Sequence, residues 1–238
     1  MASATNARIQ YENRILGRLP RSELNLFQHH LEPIDLPVKM FLQEAGRASE
    51  YAYFPETGIA SMVSTLRNGA TVEVGLIGRD GIVGLLYVMS GESLPFDCYM
   101  QVPGRGYRIK SKRLRECFEA RKVLRKKLVC AVQAQLVQMG QIAVCNRIHE
   151  IQERLARWLL SCYDRNNSQQ LLLTHEFLAT MLGTPRTTVT LAAGILQQAG
   201  YIEYSRGRVL IKDRKGLEGI TCECYAIIRK ETERLGFL

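Results

Sequence analysis

Residues 170–213 constrain the fold more than any other stretch of the chain. Thr174 precedes a short apolar helix, and its hydroxyl suits the N-cap position because it can accept a backbone N–H. Gly183 then supplies the backbone freedom that a helix end needs. Thr184 can cap a second helix, with Pro185 at its first position, where the missing N–H of proline costs nothing. Two short helices joined by a tight glycine-containing turn are therefore expected.

A β-hairpin is predicted directly after the second helix. Tyr201–Tyr204 and Arg208–Lys212 alternate like strands around a turn at Ser205-Arg206-Gly207. The side of the second helix expected to face inward consists of Val189, Ala192, Ala193, Ile195 and Leu196. Together these features predict a winged helix-turn-helix unit with a basic wing.

The exposed start of the second helix defines a candidate DNA-reading surface. In helix-turn-helix proteins this part of the helix meets base edges in the major groove. An arginine there can bond guanine O6 and N7 together, and threonines can bond phosphates or touch a thymine methyl. The candidate DNA-binding residues are Thr174, Thr184, Pro185, Arg186, Thr187, Thr188, Thr190, Arg206 and Arg208. The alternative is a helix pair that only packs, with these side chains as ordinary solvated residues.

The charge of the chain narrows the choice of partner. The 238 residues carry a net charge of +9, which suits either double-stranded DNA or an anionic membrane surface. No apolar run approaches the roughly 20 residues that span a bilayer. The first residues also lack the apolar core of a signal peptide. We therefore expect a cytoplasmic protein with no membrane partner.

Cysteine and histidine usage argues against metal sites and catalysis. The seven scattered cysteines are expected to be reduced thiols. Cys222 and Cys224 stand two apart on a predicted helix, so they should point to different faces, and neither a second pair nor a histidine cluster completes a site. No histidine lies between His30 and His149, so the β domain lacks both cupin-type metal ligands and a catalytic base. The sequence predicts no metal, no cofactor and no enzymatic activity.

The order of patterns along the chain predicts an α+β protein. Short strand-like segments punctuated by glycines indicate an N-terminal antiparallel β jelly roll. A long dimerisation helix and the C-terminal winged helix-turn-helix follow it. The expected divisions are a helical arm (1–30), the β-roll sensor domain (31–117), the dimerisation helix (118–147) and the DNA-binding domain (148–238). Around and within the last division, we expect a hinge at Asn146–Arg147, a polar loop at Asp164–Gln169 and one terminal helix over Leu217–Leu235.

An apolar seam runs along the predicted long helix. Its residues follow a 3-4 spacing over two heptads and are Val129, Val132, Leu136, Met139 and Ala143. Such a seam is typical of a helix pair, which favours a parallel homodimer because a helix-turn-helix protein usually reads two half-sites. The alternative is that the seam packs on the β domain of its own chain.

Three stretches carry a resemblance to a known family. They are YFPETGIASMVSTLRNGATVEVGLIGRDGIVG (Tyr53–Gly84), ERLARWLL (Glu153–Leu160) and LATMLGTPRTTVTLAAGILQQAGYIEYSRGRVLIKD (Leu178–Asp213). With this order of domains, the chain resembles the Crp/Fnr superfamily of bacterial transcription regulators. The resemblance implies a sequence-specific, homodimeric DNA-binding regulator with a β-roll sensor, which would contact RNA polymerase if it is an activator. The alternative is a non-catalytic protein that binds a small molecule or a partner.

Departures from the family pattern limit what can be carried over. By resemblance, Arg186 matches the base-reading arginine, but Thr187 and Leu191 stand where the family often has Glu and Arg, which implies a different target sequence. Cyclic-nucleotide-binding members carry a Gly-Glu pair in the roll, whereas here Gly81 precedes Ile82. Gly84 is likewise followed by Leu85, and residues 94–98 lack the phosphate-binding arginine. The effector is thus unidentified, and tight binding of cyclic AMP is not expected. With Cys98 as the first cysteine, the N-terminal iron–sulfur centre of the oxygen-sensing members is not expected either.

Overall fold

The computed structural model describes residues 10–166 and 170–238. The helices of this part of the chain are α1 (Arg14–Gly17), α2 (Arg21–Leu24), α3 (Leu85–Ser90), α4 (Ser111–Ala120), α5 (Lys122–Ile148), α6 (Ile151–Asn166), α7 (His175–Leu182), α8 (Arg186–Gln198), α9 (Arg214–Ile220) and α10 (Glu223–Arg234), with a 3₁₀ turn at Gln28–His30. The strands are β1 (Glu32–Leu36), β2 (Phe41–Gln43), β3 (Tyr51–Pro55), β4 (Ile59–Thr65), β5 (Thr71–Ile77), β6 (Asp97–Val102), β7 (Gly104–Lys110), β8 (Gln170–Leu172), β9 (Ile202–Ser205) and β10 (Arg208–Ile211).

The first seven strands form a roll of two antiparallel sheets. One sheet has the order β1-β7-β3 and the other β2-β6-β4-β5. Leu36, Met62, Ile77 and Met100 meet in the apolar core of the roll. Strand β4 is buried along its first five residues because α6 also packs on it. The prediction of an N-terminal antiparallel roll is confirmed.

The long helix is displaced from its predicted bounds. The helical pattern that we expected from about Phe118 belongs to two helices, because Arg121 has extended backbone angles (φ −119°, ψ 110°) and separates α4 from α5. Helix α5 then continues through the predicted hinge at Asn146–Arg147. The chain turns at His149 instead, where the backbone is again extended (φ −94°, ψ 150°).

Helix α5 is also long and apolar enough to cross a membrane by length and composition alone. An 18-residue window in it has a mean hydropathy of 1.5, although four uncharged glutamines interrupt its apolar residues. The expectation drawn from unbroken apolar runs missed this window. In the structure 28% of this window is buried, and α5 packs on β5 and α10. Helices that pack inside a folded protein meet the same criterion, so the window assigns no membrane location.

Two predictions for the C-terminal domain need correction. Helix α6 extends through Asn166, so the first part of the predicted loop at Asp164–Gln169 is helical, and residues 167–169 lie outside the described residues. The single terminal helix expected over Leu217–Leu235 is two helices, α9 and α10. They are separated at Thr221 and Cys222, whose extended backbone angles break the helix.

The roll and the C-terminal domain share one apolar core. Ile59, Val63 and Leu76 of the roll are buried in the same cluster as Trp158 and Leu159 of α6. Apolar side chains in such a shared core are close-packed, and this packing resists sliding of the two domains against each other.

Polar contacts within this interface fix its geometry. The Trp158 indole N–H donates to Glu73 Oε1 (2.8 Å), and the Ser61 hydroxyl donates to Glu73 Oε2 (2.6 Å). Arg165 pairs with Asp80 at 2.9 Å, and both side chains are almost fully buried. A Cβ placed on Gly78 would lie 2.7 Å from Arg165 Cβ, so the roll approaches α6 with its bare backbone.

Candidate nucleic-acid interface

The turn between α7 and α8 forms as its sequence predicts. The Thr174 hydroxyl accepts from the Phe177 N–H at 3.1 Å and caps α7. Gly183 ends that helix in the left-handed conformation, with φ at 58°. The prediction that Thr184 caps α8 is wrong. Pro185 is the N-cap residue, no side chain bonds the free N–H groups there, and the helix begins at Arg186.

The inward side of α8 is narrower than predicted. Val189, Ala192, Ala193 and Leu196 are buried, but Ile195 is 48% exposed. At about 100° per residue, Ile195 lies well to one side of the line through Val189 and Leu196. The four buried residues pack α8 on α6 and α7, and this packing sets the direction in which the start of α8 projects.

The start of α8 presents the predicted arginine to solvent. The Arg186 side chain is 68% exposed, and its nearest carboxylate, that of Glu176, is 3.9 Å away. This loose pair leaves the guanidinium able to reorient, since an exposed ion pair contributes little. Thr174, Pro185, Thr187 and Thr190 are exposed, and Thr184 and Thr188 are half-buried.

His175 belongs to this surface, although the sequence reasoning did not single it out. Its Nδ1 lies 3.0 Å from the Thr190 hydroxyl, and its ring stacks on Tyr204 with centroids 4.2 Å apart. Burial, with the nearby Arg186 charge, lowers its pKa. The neutral imidazole therefore joins α7, α8 and the wing. In the sequence, the signal that could have pointed to His175 was its position directly after the predicted N-cap residue Thr174.

A cleft separates the start of α8 from the roll. Its volume is about 730 Å³, and it lies between Thr71 and Val72 of β5 and Pro185 and Arg186 at the start of α8. The roll touches the turn itself, because a Cβ on Gly183 would lie 3.0 Å from Val72 Cγ2. Strand β5 and the helix-turn-helix are therefore in direct contact at this point.

The wing is a three-stranded sheet of order β8-β10-β9, rather than the predicted two-stranded ribbon. Its tip is a two-residue turn in which Arg206 (φ 48°) and Gly207 (φ 74°) both have positive φ. Arg208 follows on β10, and both arginines are exposed. Arginine is a poor choice for a left-handed position, which costs roughly 1–2 kcal/mol outside glycine. This strain makes Arg206 a candidate functional residue at the tip of the wing.

Replacing Arg206 by glycine should separate stability from binding. We expect Arg206→Gly to raise the free energy of unfolding by about 1 kcal/mol because the turn loses its strain. DNA affinity should fall because one phosphate contact is lost. The slope of log K against log salt concentration should become shallower by about one. Thermal melts and DNA titrations at several salt concentrations measure both. Arg206→Lys, which keeps charge and strain, is the control and should change neither quantity much.

The seam of α5 divides into two sides. Val129 (46% exposed), Leu136 (67% exposed) and Ala143 point to solvent at seven-residue intervals. Val132 and Met139 are half-buried against the chain's own core. Within the part of the chain that the structure describes, only these last two residues of the seam pack against other parts of the protein.

Family comparisons agree with this geometry. Residues 36–121 match the model of the cyclic nucleotide-binding domain, and residues 153–220 match the model of the Crp-like helix-turn-helix domain. The two matches together span nearly two thirds of the chain. The protein belongs to the Crp/Fnr family. A search of curated proteins gives no significant match for this Crp/Fnr regulator.

Solved Crp/Fnr structures share its fold at low sequence identity. FixK2 from Bradyrhizobium japonicum is 17% identical with a TM-score of 0.69, over 81% of this chain and 98% of that one. The c-di-GMP responsive global regulator CLP from Xanthomonas campestris is 16% identical with a TM-score of 0.65, over 81% and 99%. A CRP/FNR family transcriptional regulator from Thermus thermophilus, TTHA1359, is 19% identical with a TM-score of 0.62, over 79% and 97%.

Little empty space remains inside the roll next to residues 81–85, where the sequence differs from that of cyclic-nucleotide-binding members of the family. Ile82, Val83 and Leu85 are buried there. The cavity that they line has a volume of about 10 Å³. A second cavity, between Asp80 and Gln138, has about 30 Å³, room for a water molecule. Ligand sites in proteins usually measure roughly 300–1,000 Å³.

Proposed function

We propose that this Crp/Fnr regulator is a cytoplasmic homodimer that reads a specific DNA sequence. The observation that carries the proposal is the exposed Arg186 at the first position of α8, beside the exposed hydroxyl of Thr187 and above a wing that ends in Arg206 and Arg208. A protruding helix start with a guanidinium suits the major groove, and a charged hairpin beside it suits the phosphate backbone. Thr174, Thr184, Pro185, Thr188 and Thr190 complete the proposed surface.

The exposed half of the α5 seam supports the homodimer. Leu136 and Val144 are 67% and 50% exposed on a helix whose other side is buried. Gly140 lies between them, with open space where a side chain would stand. A second copy of α5 would cover this apolar surface and permit close approach at the glycine. Two reading helices related by the dimer axis would then lie about one turn of DNA apart, ~34 Å.

The proposed sensor is the roll, with an effector other than cyclic AMP. The filled space at Ile82 and Leu85, together with the missing Glu and Arg, supports an effector other than cyclic AMP. A signal could act through the contact between Val72 and the turn at Gly183, which links β5 to the reading helix. Such a signal would shift the population of domain arrangements. If the regulator activates transcription, it would also contact RNA polymerase.

The proposed reading role is tested with DNA selected from a random pool and titrated against single-base variants. Arg186→Ala should lose roughly 5- to 150-fold of discrimination at one base pair in each half-site, because one bidentate contact disappears. Arg208→Ala should weaken binding evenly across sequences and reduce the salt slope by about one.

The pattern across the two variants decides the roles. Equal losses at every base pair for both variants would contradict a base-reading Arg186. Binding of the unaltered protein with no preference over random DNA would instead favour a protein that binds a small molecule or a partner.

A further inference from the structure

The thiols of the C-terminal region converge on one point. Cys222 is the N-cap residue of α10, with extended angles (φ −70°, ψ 163°), so the helical spacing that predicted different faces does not apply to it. Its Sγ lies 3.5 Å from Sγ of Cys145, near the end of α5. Cys224 Sγ lies 3.7 Å from Nδ1 of His149. The four ligand atoms all lie within 4.8 Å of one another. The sequence did not indicate this cluster, because residues 75–77 positions apart meet only in the fold.

We propose that Cys145, His149, Cys222 and Cys224 bind one tetrahedral divalent ion, Zn²⁺. A Cys₃His set is one of the standard structural zinc sites. Bonds of about 2.3 Å to sulfur and 2.0–2.1 Å to nitrogen place tetrahedral ligand atoms about 3.5–3.8 Å apart. The observed separations of 3.5 and 3.7 Å match that size. Such close packing suits a single ion rather than a larger cluster.

The surrounding residues complete the site. The second ring nitrogen of His149, Nε2, lies 3.2 Å from a Glu223 carboxylate oxygen. This carboxylate–histidine pair fixes the ring so that Nδ1 faces the thiols, as in known zinc sites. Three thiolates around Zn²⁺ leave a net charge of −1. Arg157, only 2% exposed, places Nε 3.2 Å from Cys145 Sγ and balances that charge. Across residues 10–166 and 170–238, Arg157 has no carboxylate within 4.0 Å.

The position of the site gives it a mechanical role. Cys145 and His149 stand where α5 ends and the chain turns into α6, and Cys222 and Cys224 begin α10. Arg157 comes from α6. A bound ion would join the end of the long helix to the DNA-binding domain, and it would hold the turn at His149 in one geometry.

The test uses the full-length protein, stripped of metal under reducing conditions and titrated with Co²⁺ alone. The expected result is one equivalent of tightly bound ion with the intense visible absorption of tetrahedral cobalt thiolate, displaced by Zn²⁺. Cys224→Ser should reduce the absorption and weaken binding. Cys130→Ser, a half-buried thiol of α5 outside the cluster, is the matched control and should leave both unchanged.

A second variant avoids dependence on a buried cysteine. Glu223→Gln alters an exposed carboxylate and should weaken Zn²⁺ binding about 10- to 100-fold while keeping the tetrahedral spectrum. The proposal is overturned if the reduced protein gives no cobalt thiolate band, or if Cys224→Ser and Cys130→Ser bind metal alike. It is also overturned if Cys145 and Cys222 are found as a disulfide that persists in reductant.

Discussion

Replacing Leu136 by glutamate is expected to convert the proposed dimer into monomers and to reduce operator affinity by about 10³-fold or more. Leu136 is the most exposed apolar residue in the middle of the α5 seam. Across a twofold axis each seam residue meets the same surface of its partner, so the substitution would bury facing carboxylates without compensation. A monomer would contact one half-site only, and its affinity would approach that for random DNA.

Sedimentation equilibrium over a range of concentrations measures the first effect, and titration of the selected operator measures the second. Val38→Glu is the matched control, because Val38 is 54% exposed on the roll and away from the seam. It should leave association and DNA binding unchanged. A Leu136→Glu protein that still sediments as a dimer would place the interface elsewhere.

The second large effect concerns Glu73, buried between the roll and α6. Burial raises its pKa to about 7 from the ordinary 4.5, even though Ser61 and Trp158 donate hydrogen bonds to the carboxylate. Between those two pH values the folded protein holds a proton that the unfolded chain has released. The free energy of unfolding therefore falls as the pH rises through this window. The contribution is complete below pH 4.5 and is lost by about pH 7, with a total of about 3 kcal/mol.

Urea unfolding between pH 5 and 8, compared with Glu73→Gln, isolates this group, since the amide keeps the shape of the neutral acid without titrating. In the variant, the free energy of unfolding should lose the part of its pH dependence that comes from Glu73. At the upper end of the pH range, the variant should be more stable than the unaltered protein. Ser64→Ala, half-buried on β4 and outside this hydrogen-bond network, serves as the control. Parallel slopes for Glu73→Gln and the unaltered chain would show that Glu73 does not titrate in this window.

The helix-turn-helix was predictable because its signals are local. A cap at Thr174, a stop at Gly183 and a start at Pro185 act over three or four residues, and the structure places two helices where those signals put them. The exact cap of α8 shifted by one residue because no side chain bonds its first N–H groups. Periodicity also identified the α5 seam, but it could not show which seam residues the chain's own roll would cover.

The features that could not be predicted from the sequence depend on residues that are far apart in the chain. Cys145 and Cys222 become neighbours only after the terminal helices pack on α5. Because Cys222 has extended N-cap angles, the spacing of residues around a helix does not apply to Cys222 and Cys224, and it does not keep their side chains apart. Glu73 resembles an ordinary outward-facing strand residue until α6 covers it with Trp158. No local pattern encodes such burial.

The contact between Gly78 and Arg165 bears on how regulators of this kind could be recombined. Consider a chimera that joins this roll to the C-terminal domain of a relative. Its roll would need a glycine at position 78, and the helix packed against that glycine would need a side chain that fits there as Arg165 does. It would also need Asp80 to be supplied together with Arg165, since either one alone would be a stranded charge. The roll and α6 thus have matched surfaces, and engineered exchanges should keep Gly78, Asp80 and Arg165 together.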